Sequence, residues 1–172
     1  MPSTYEKIDK TTGNGSSNSI SFTSIPATYT DLVCVITGGA VSADQNILFR
    51  FNSDSASNYS TTNLGARALS TTPFSARQSS QAYGYIAWYT AISSTRGMAI
   101  MNVMNYANTT TYKTVLSGMR VDEGNATYSG VEQTVNLWRK TPEAINRIDI
   151  YCGTSGAFTS ASTFTLYGIK AA

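Results

Sequence analysis

The chain has no histidine in its 172 residues. Histidine titrates near neutrality and is the commonest general base and metal ligand, so its absence excludes Ser-His-Asp and Cys-His nucleophilic arrangements. Charge is scarce as well: Asp, Glu, Lys and Arg make up 13% of the chain, about half the usual share. The 12 basic and 10 acidic residues leave a net charge of +2 and are scattered rather than clustered. Nucleic-acid binding needs a basic patch or stripe to neutralise phosphates, and none is present. No run approaches the roughly 18 apolar residues of a membrane-spanning helix. The start "MPSTYEKIDK" lacks the basic region and apolar stretch of a signal peptide, so synthesis in a cytoplasm is expected and a membrane partner is not. There is no GxxxxGK[ST] loop and no GxGxxG between strand and helix, so no nucleotide cofactor is expected. A glycosidase-type carboxylate pair would have to be chosen from the 10 acidic residues, and nothing in their spacing makes the choice. No enzymatic activity and no cofactor are expected.

Polarity comes instead from Ser, Thr and Asn, with Ser and Thr together about a quarter of the chain, well above average usage. Aromatics at 11%, with frequent Val and Ile, supply enough apolar surface for a folded core. No heptad, fixed-period repeat or linker interrupts the chain, and residues 1–172 read as one domain. Short runs rich in Val, Ile, Thr, Tyr and Phe alternate with Gly, Ser and Asn loops, and several run apolar/polar at period two. In "INRIDIYC", Ile148, Ile150 and Cys152 oppose Arg147, Asp149 and Tyr151. In "TVNLWRK", Val135 and Leu137 oppose Asn136 and Trp138. The segments "TYEKID", "SISFTSI", "TDLVCVITG", "NILFRFN", "QAYGYIAWYTAI", "GMAIMNVMNY", "TYKTVLSGM", "EQTVNLWRK", "AINRIDIYC" and "STFTLYGIK" are the expected strands. "KTPEAIN" is the best place for a single helical turn, with Thr141 as cap and Pro142 at the first position. About ten strands with frequent turn signals predict an all-β fold, an antiparallel jelly-roll-like β-sandwich.

Cys34 and Cys152 each share a strand face with aliphatic neighbours, which predicts buried free thiols rather than a disulfide. The stretch "RFNSDSASNYSTTNL", residues 50–64, is the densest run of oxygen-bearing side chains. Asn52, Asp54, Ser55 and Asn58 are candidate ligands for a hard cation, as are Asp122, Glu123 and Asn125. Neither group has the spacing of an EF-hand, and Asn and Asp also favour turns by bonding nearby backbone amides. A carbohydrate-binding edge would need exposed aromatic platforms, for which Tyr59, Tyr106, Tyr112 and Tyr128 are candidates. "YGYIAWY" is apolar on both faces, so Tyr83, Tyr85, Trp88 and Tyr89 are expected either in a doubly covered strand or at a subunit interface.

Four segments carry a resemblance: "MPSTYEKIDKTT" with "ISFTSIPATYTDLVCV", "RFN" with Asp54 and "SNYS", "YANTTTYKTVLS", and the closing "FTLYGIKAA". Together they resemble a family of virion structural proteins from tailed bacteriophages, particularly marine ones. In the family pattern a glycine often stands where this chain has Ser53. The resemblance implies a non-enzymatic β-sandwich that assembles as a homotrimer. It implies one of two roles: a capsid decoration or cement protein bound to the major capsid protein on the outer shell, or a tail-fibre or appendage domain that contacts a host-surface receptor or glycan. A compact chain without a coiled-coil or β-helical shaft, and with low charge, leans toward decoration, because like charges repel in dense arrays.

Overall fold

The computed structural model describes residues 4–38, 46–67, 70, 72–88, 97–121, 130–153 and 156–170. Twelve strands run in chain order: β1 Tyr5–Thr12, β2 Ser19–Phe22, β3 Asp31–Thr37, β4 Ile47–Phe51, β5 Tyr59–Arg67, β6 Phe74–Gln81, β7 Gly84–Ala87, β8 Met98–Val103, β9 Lys113–Val121, β10 Gly130–Trp138, β11 Ile148–Cys152 and β12 Thr163–Ile169. They form two antiparallel sheets. The larger has eight strands in the order β1-β12-β3-β8-β9-β10-β5-β6, and the smaller has four in the order β2-β11-β4-β7. The fold is an antiparallel jelly-roll-like β-sandwich, and no helix occurs among the described residues.

Most of the expected strands are present, and four local readings are corrected. First, β5 and β6 lie where no strand was expected. Their inward residues are Tyr59, Thr61, Asn63 and Gly65 on β5, and Phe74, Ala76 and Gln78 on β6, so neither shows an apolar stripe. Second, "QAYGYIAWYTAI" is not one strand. Gln81 ends β6 in the larger sheet, and after two residues β7 begins in the smaller one. Third, "KTPEAIN" makes no helical turn. The amides of Asn146 and Arg147 donate to the Asn52 side chain, and that of Ile145 donates to the Tyr106 carbonyl. The chain bends at residues 140–142 and forms no helical turn, because the amides of residues 145–147 bond to other loops.

The fourth correction is an inversion on β10. Glu132, Thr134, Asn136 and Trp138 face inward, while Val131, Val135 and, less exposed, Leu137 face out. Strand β7 supplies the reason. It pairs only with β4, so its far edge would present unpaired backbone groups to the interior. The Tyr85 amide donates to Asn136 Oδ1 at 2.9 Å, and the Tyr85 carbonyl accepts from Asn136 Nδ2 at 2.9 Å. Hydroxyls of Thr134 and Ser117 lie 3.0 and 3.1 Å from the same carbonyl. The Trp88 amide donates to Glu132 Oε1 at 2.8 Å, an oxygen that also receives Asn63 Nδ2 at 3.2 Å. Side chains of one sheet thus satisfy the edge of the other, where an unmatched group would cost about 1–3 kcal/mol.

The rest of the interior is apolar. Leu32, Cys34 and Ile36 of β3, Met101 and Val103 of β8 and Phe164 and Leu166 of β12 meet Phe49 and Phe51 of β4 and Ile148 and Ile150 of β11. Cys34 and Cys152 are buried free thiols on different sheets, and burial pushes each up to about 12.

Candidate functional site

The segment from residue 50 to residue 64 resolves into strand, loop and strand; the side-chain oxygens of Asn52 and Asp54 are spent on the fold, while Ser53 and Ser55 are exposed. Asn52 has φ 49° and Ser53 has φ 57°, a left-handed pair that turns the chain out of β4. Asn52 Nδ2 donates to Glu143 Oε1 and the Ala144 carbonyl, both at 2.9 Å, while its Oδ1 receives the two amides already named. Asp54 accepts from the Ala56 amide at 3.0 Å, from Asn58 Nδ2 at 2.9 Å and from Trp138 Nε1 at 2.7 Å. Burial acts to raise the Asp54 carboxyl, but the bonds from Asn58, Trp138 and Ala56 outweigh it and hold it below the usual range. The Asn52 and Asp54 side chains therefore clasp β4, β10 and the 143–147 segment. No group of three or more Cys, Asp or Glu suited to a metal is found among the described residues. Asp122, Glu123 and Asn125 lie outside the described residues.

Parts of the other quoted segments are also internal fixtures. Tyr106 is buried, donates its hydroxyl to the Pro26 carbonyl, and accepts the Tyr29 amide at 3.3 Å. Asn108 Oδ1 caps the amides of Thr110 and Thr111 at 2.7 and 2.8 Å. The buried Lys113 ammonium closes the same loop on the carbonyls of Asn108 and Thr111 at 2.6 and 2.7 Å. Near the end of the chain, Gly168 lies under the Tyr29 ring, where any Cβ would overlap it.

A concave polar site lies elsewhere, on the outer face of the smaller sheet. Side chains of β2, β11 and β4, with Arg147 and Ser53 at strand ends, line a cleft of about 390 Å³. Register places Asp149 between Ser21 and Arg50, and Tyr151 between Ser19 and Leu48. Arg147 Nε lies 2.9 Å from both Asp149 oxygens, and Ser21 Oγ donates to Oδ1 at 2.6 Å. Burial acts to raise Asp149, but the bonds from Arg147 and Ser21 and the charges of Arg147 and Arg50 hold it low. Arg50 Nε donates to the Ala82 carbonyl at 3.0 Å, and its guanidinium carbon sits 5.0 Å over the Tyr151 ring. The Tyr151 hydroxyl is buried without a hydrogen-bond partner, and burial pushes it up to about 12.

An aromatic wall continues from this cleft. Tyr83 meets Tyr151 edge-on at 6.4 Å and Tyr85 at 5.4 Å, and Tyr85 stacks on Trp88 at 4.4 Å. Three of the four residues expected at a covered strand or subunit interface are therefore neighbours: Tyr85 is buried within the chain, and Tyr83 and Trp88 are half-buried. Tyr89 lies outside the described residues. Of the tyrosines considered as sugar platforms, Tyr59 and Tyr106 are fully buried and present no face, Tyr112 is exposed, and Tyr128 lies outside the described residues. The cleft residues carried one sequence signal, the Arg147-Asp149-Tyr151 alternation opposite three apolar positions. Nothing in the sequence brought Arg50 to the same place.

The larger sheet has an outer face of different character. Leu116 and Val135 are directly opposed on β9 and β10, with Leu64 on β5 and Val131 near them. These four are 39%, 50%, 59% and 53% exposed.

No family description and no curated sequence matches the chain. Among solved structures, a galectin from Caenorhabditis elegans, LEC-6, is 9% identical, with 94% of this chain and 96% of that one covered and a TM-score of 0.32. The CBM2 module of an evolved Dit protein from Lactobacillus casei BL23 phage J-1 is 9% identical over 95% of this chain and 76% of that one, at a TM-score of 0.19. A Bacteroides ovatus family 16 endo-glucanase is 6% identical over 85% and 70%, at a TM-score of 0.21. Likeness at this level carries no functional argument.

Proposed function

We propose that this chain is a non-enzymatic structural protein of a tailed-bacteriophage virion, a decoration protein that binds the outer capsid shell and stabilises it. The observation that carries the reading is the outer face of the larger sheet. There Leu116, Val135, Leu64 and Val131 stand exposed on adjacent strands that turn polar side chains inward. Exposed apolar side chains grouped on one sheet face, with Leu116 directly opposite Val135 and Leu64 diagonal to it, are the kind of surface that a partner covers. The major capsid protein is the proposed partner, together with further copies of the chain arranged as a homotrimer. Each bound copy adds contact between capsomers and so raises the free energy needed to separate them, by mass action on the assembled state. The four motif segments quoted above support the virion assignment.

Two measurements test this. Quantitative mass spectrometry of purified particles should place the chain near the abundance of the major capsid protein. A ratio lower by one or two orders of magnitude would instead indicate the tail-fibre or appendage role. The paired variant Leu116→Lys/Val135→Glu, which sets opposite charges across the two strands, should fold with nearly unchanged stability, since exposed substitutions usually shift it by about 0.5 kcal/mol or less. It should fail to occupy capsids, and normal occupancy would remove the outer face from the argument.

A further inference from the structure

We propose that the cleft on the smaller sheet binds an anionic saccharide, with Arg50 pairing its carboxylate. The inference is independent of where on a particle the chain resides. Three observations carry it. The first is a difference between the two arginines at the cleft. Arg147 is committed to Asp149, through Nε and through a terminal nitrogen at 2.7 Å. Arg50 has no carboxylate partner among the described residues; only its Nε is engaged, by the Ala82 carbonyl. Held there and resting on Tyr151, its planar fork is oriented before any ligand arrives. A fixed guanidinium matches a carboxylate through two parallel bonds.

The second observation is the neutral, hydroxyl-rich rim. Asn18, Ser19 and Ser53 line the cleft beside Ser21. Amide and hydroxyl groups that both donate and accept suit the hydroxyls of a sugar ring, which do the same. The Asp149 carboxylate, held in place by Arg147 and Ser21, adds a strong acceptor for a sugar hydroxyl. The third observation concerns size and charge. A cleft of about 390 Å³ lies within the roughly 300–1,000 Å³ of small-molecule sites and far exceeds an inorganic anion. Two guanidinium groups against one carboxylate leave a single positive charge, which matches one carboxylate rather than a phosphate dianion.

The test uses the full chain and isothermal titration calorimetry. Its probes are short oligosaccharides carrying galacturonate, glucuronate or N-acetylneuraminate, each beside its neutral methyl ester, with inorganic phosphate as a control. At least one acidic saccharide should bind at least tenfold more tightly than its own ester. Arg50→Gln should weaken that binding at least tenfold while leaving the thermal transition in place. Arg50→Lys should fall between the two, because it keeps the charge and loses the fork. Should Arg50→Gln melt early, Ser19→Ala and Asn18→Ala, on the rim, serve as the second set, with a severalfold loss expected. The proposal fails if none of the acidic probes binds, if acid and ester bind alike, or if the variants bind as the parent does. It fails equally if phosphate competes with the affinity of the saccharide.

Discussion

Single residues explain why the loop after β4 has its composition. Asn52 and Ser53 both lie in the left-handed region, with φ of 49° and 57°. Asn tolerates that region through local hydrogen bonding, whereas for serine it is strained by about 1–2 kcal/mol. Glycine, which has no Cβ, adopts this region with no such strain. Ser53→Gly should therefore raise stability by about 0.5–1 kcal/mol, after allowing for the extra freedom glycine has in the unfolded chain. Urea denaturation measures this directly, and an unchanged or lowered midpoint would contradict it. Acidification acts on neighbouring groups. Asp54, Glu143 and Asp149 are all held below their ordinary range; burial opposes this in each case, and the bonds they accept prevail. A depressed carboxyl contributes stability that is fully present above its unfolded value, about 4, and is lost as pH falls through the folded value. The melting temperature should thus be level from roughly pH 8 to pH 5 and fall below about pH 4. In Asp54→Asn the acid-side fall should be shallower, read from the same melting curves.

At the scale of elements, β7 and β10 have to be understood together. Asn136 is fully buried and meets both the amide and the carbonyl of Tyr85, while Thr61 Oγ1 donates to it at 2.5 Å. Asn136→Ala leaves these groups unmatched in the interior and should cost about 3 kcal/mol, measured by chemical denaturation; a loss under 1 kcal/mol would mean that water replaces the amide. This pair of strands also shows what the sequence made legible. Where alternation reflects ordinary burial, as in β11 and around Cys34 on β3, the sequence pattern gives the apolar side and the buried thiols of Cys34 and Cys152 that the structure has. On β10 the same rule gave the reverse answer. Its inward residues answer to the backbone of a strand some 50 positions earlier, as with Asn136 and Tyr85, and no local pattern records that. β5 and β6 escaped notice for a related reason, since Thr61, Asn63 and Gln78 take inward positions that a strand normally gives to aliphatics. The cleft was half legible: β11 announced Arg147, Asp149 and Tyr151 by alternation, whereas Arg50 joins them only through the β4–β11 register.

The whole molecule has two outer faces of different kind, one on the larger sheet that carries Leu64, Leu116, Val131 and Val135 exposed among polar neighbours, and one on the smaller sheet with a polar cleft. A chain that docks through the first leaves the second directed away from its support. The interior is divided as well, apolar under β3, β8 and β12 and hydrogen-bonded under β7. That division has a calorimetric consequence. Hydrating apolar surface raises the heat capacity of the unfolded chain, by about 0.45 cal/mol/K per Å², and hydrating polar surface lowers it, by about 0.26. An average protein of 172 residues would show an unfolding heat-capacity change of roughly 2.1–2.6 kcal/mol/K. With Thr61, Asn63, Ser117, Glu132, Thr134 and Asn136 all buried on facing or adjacent strands, the change here should fall below that range, as scanning calorimetry over several pH values would report. A smaller curvature flattens the dependence of stability on temperature, so the folded state should lose little on cooling from 25 °C toward freezing.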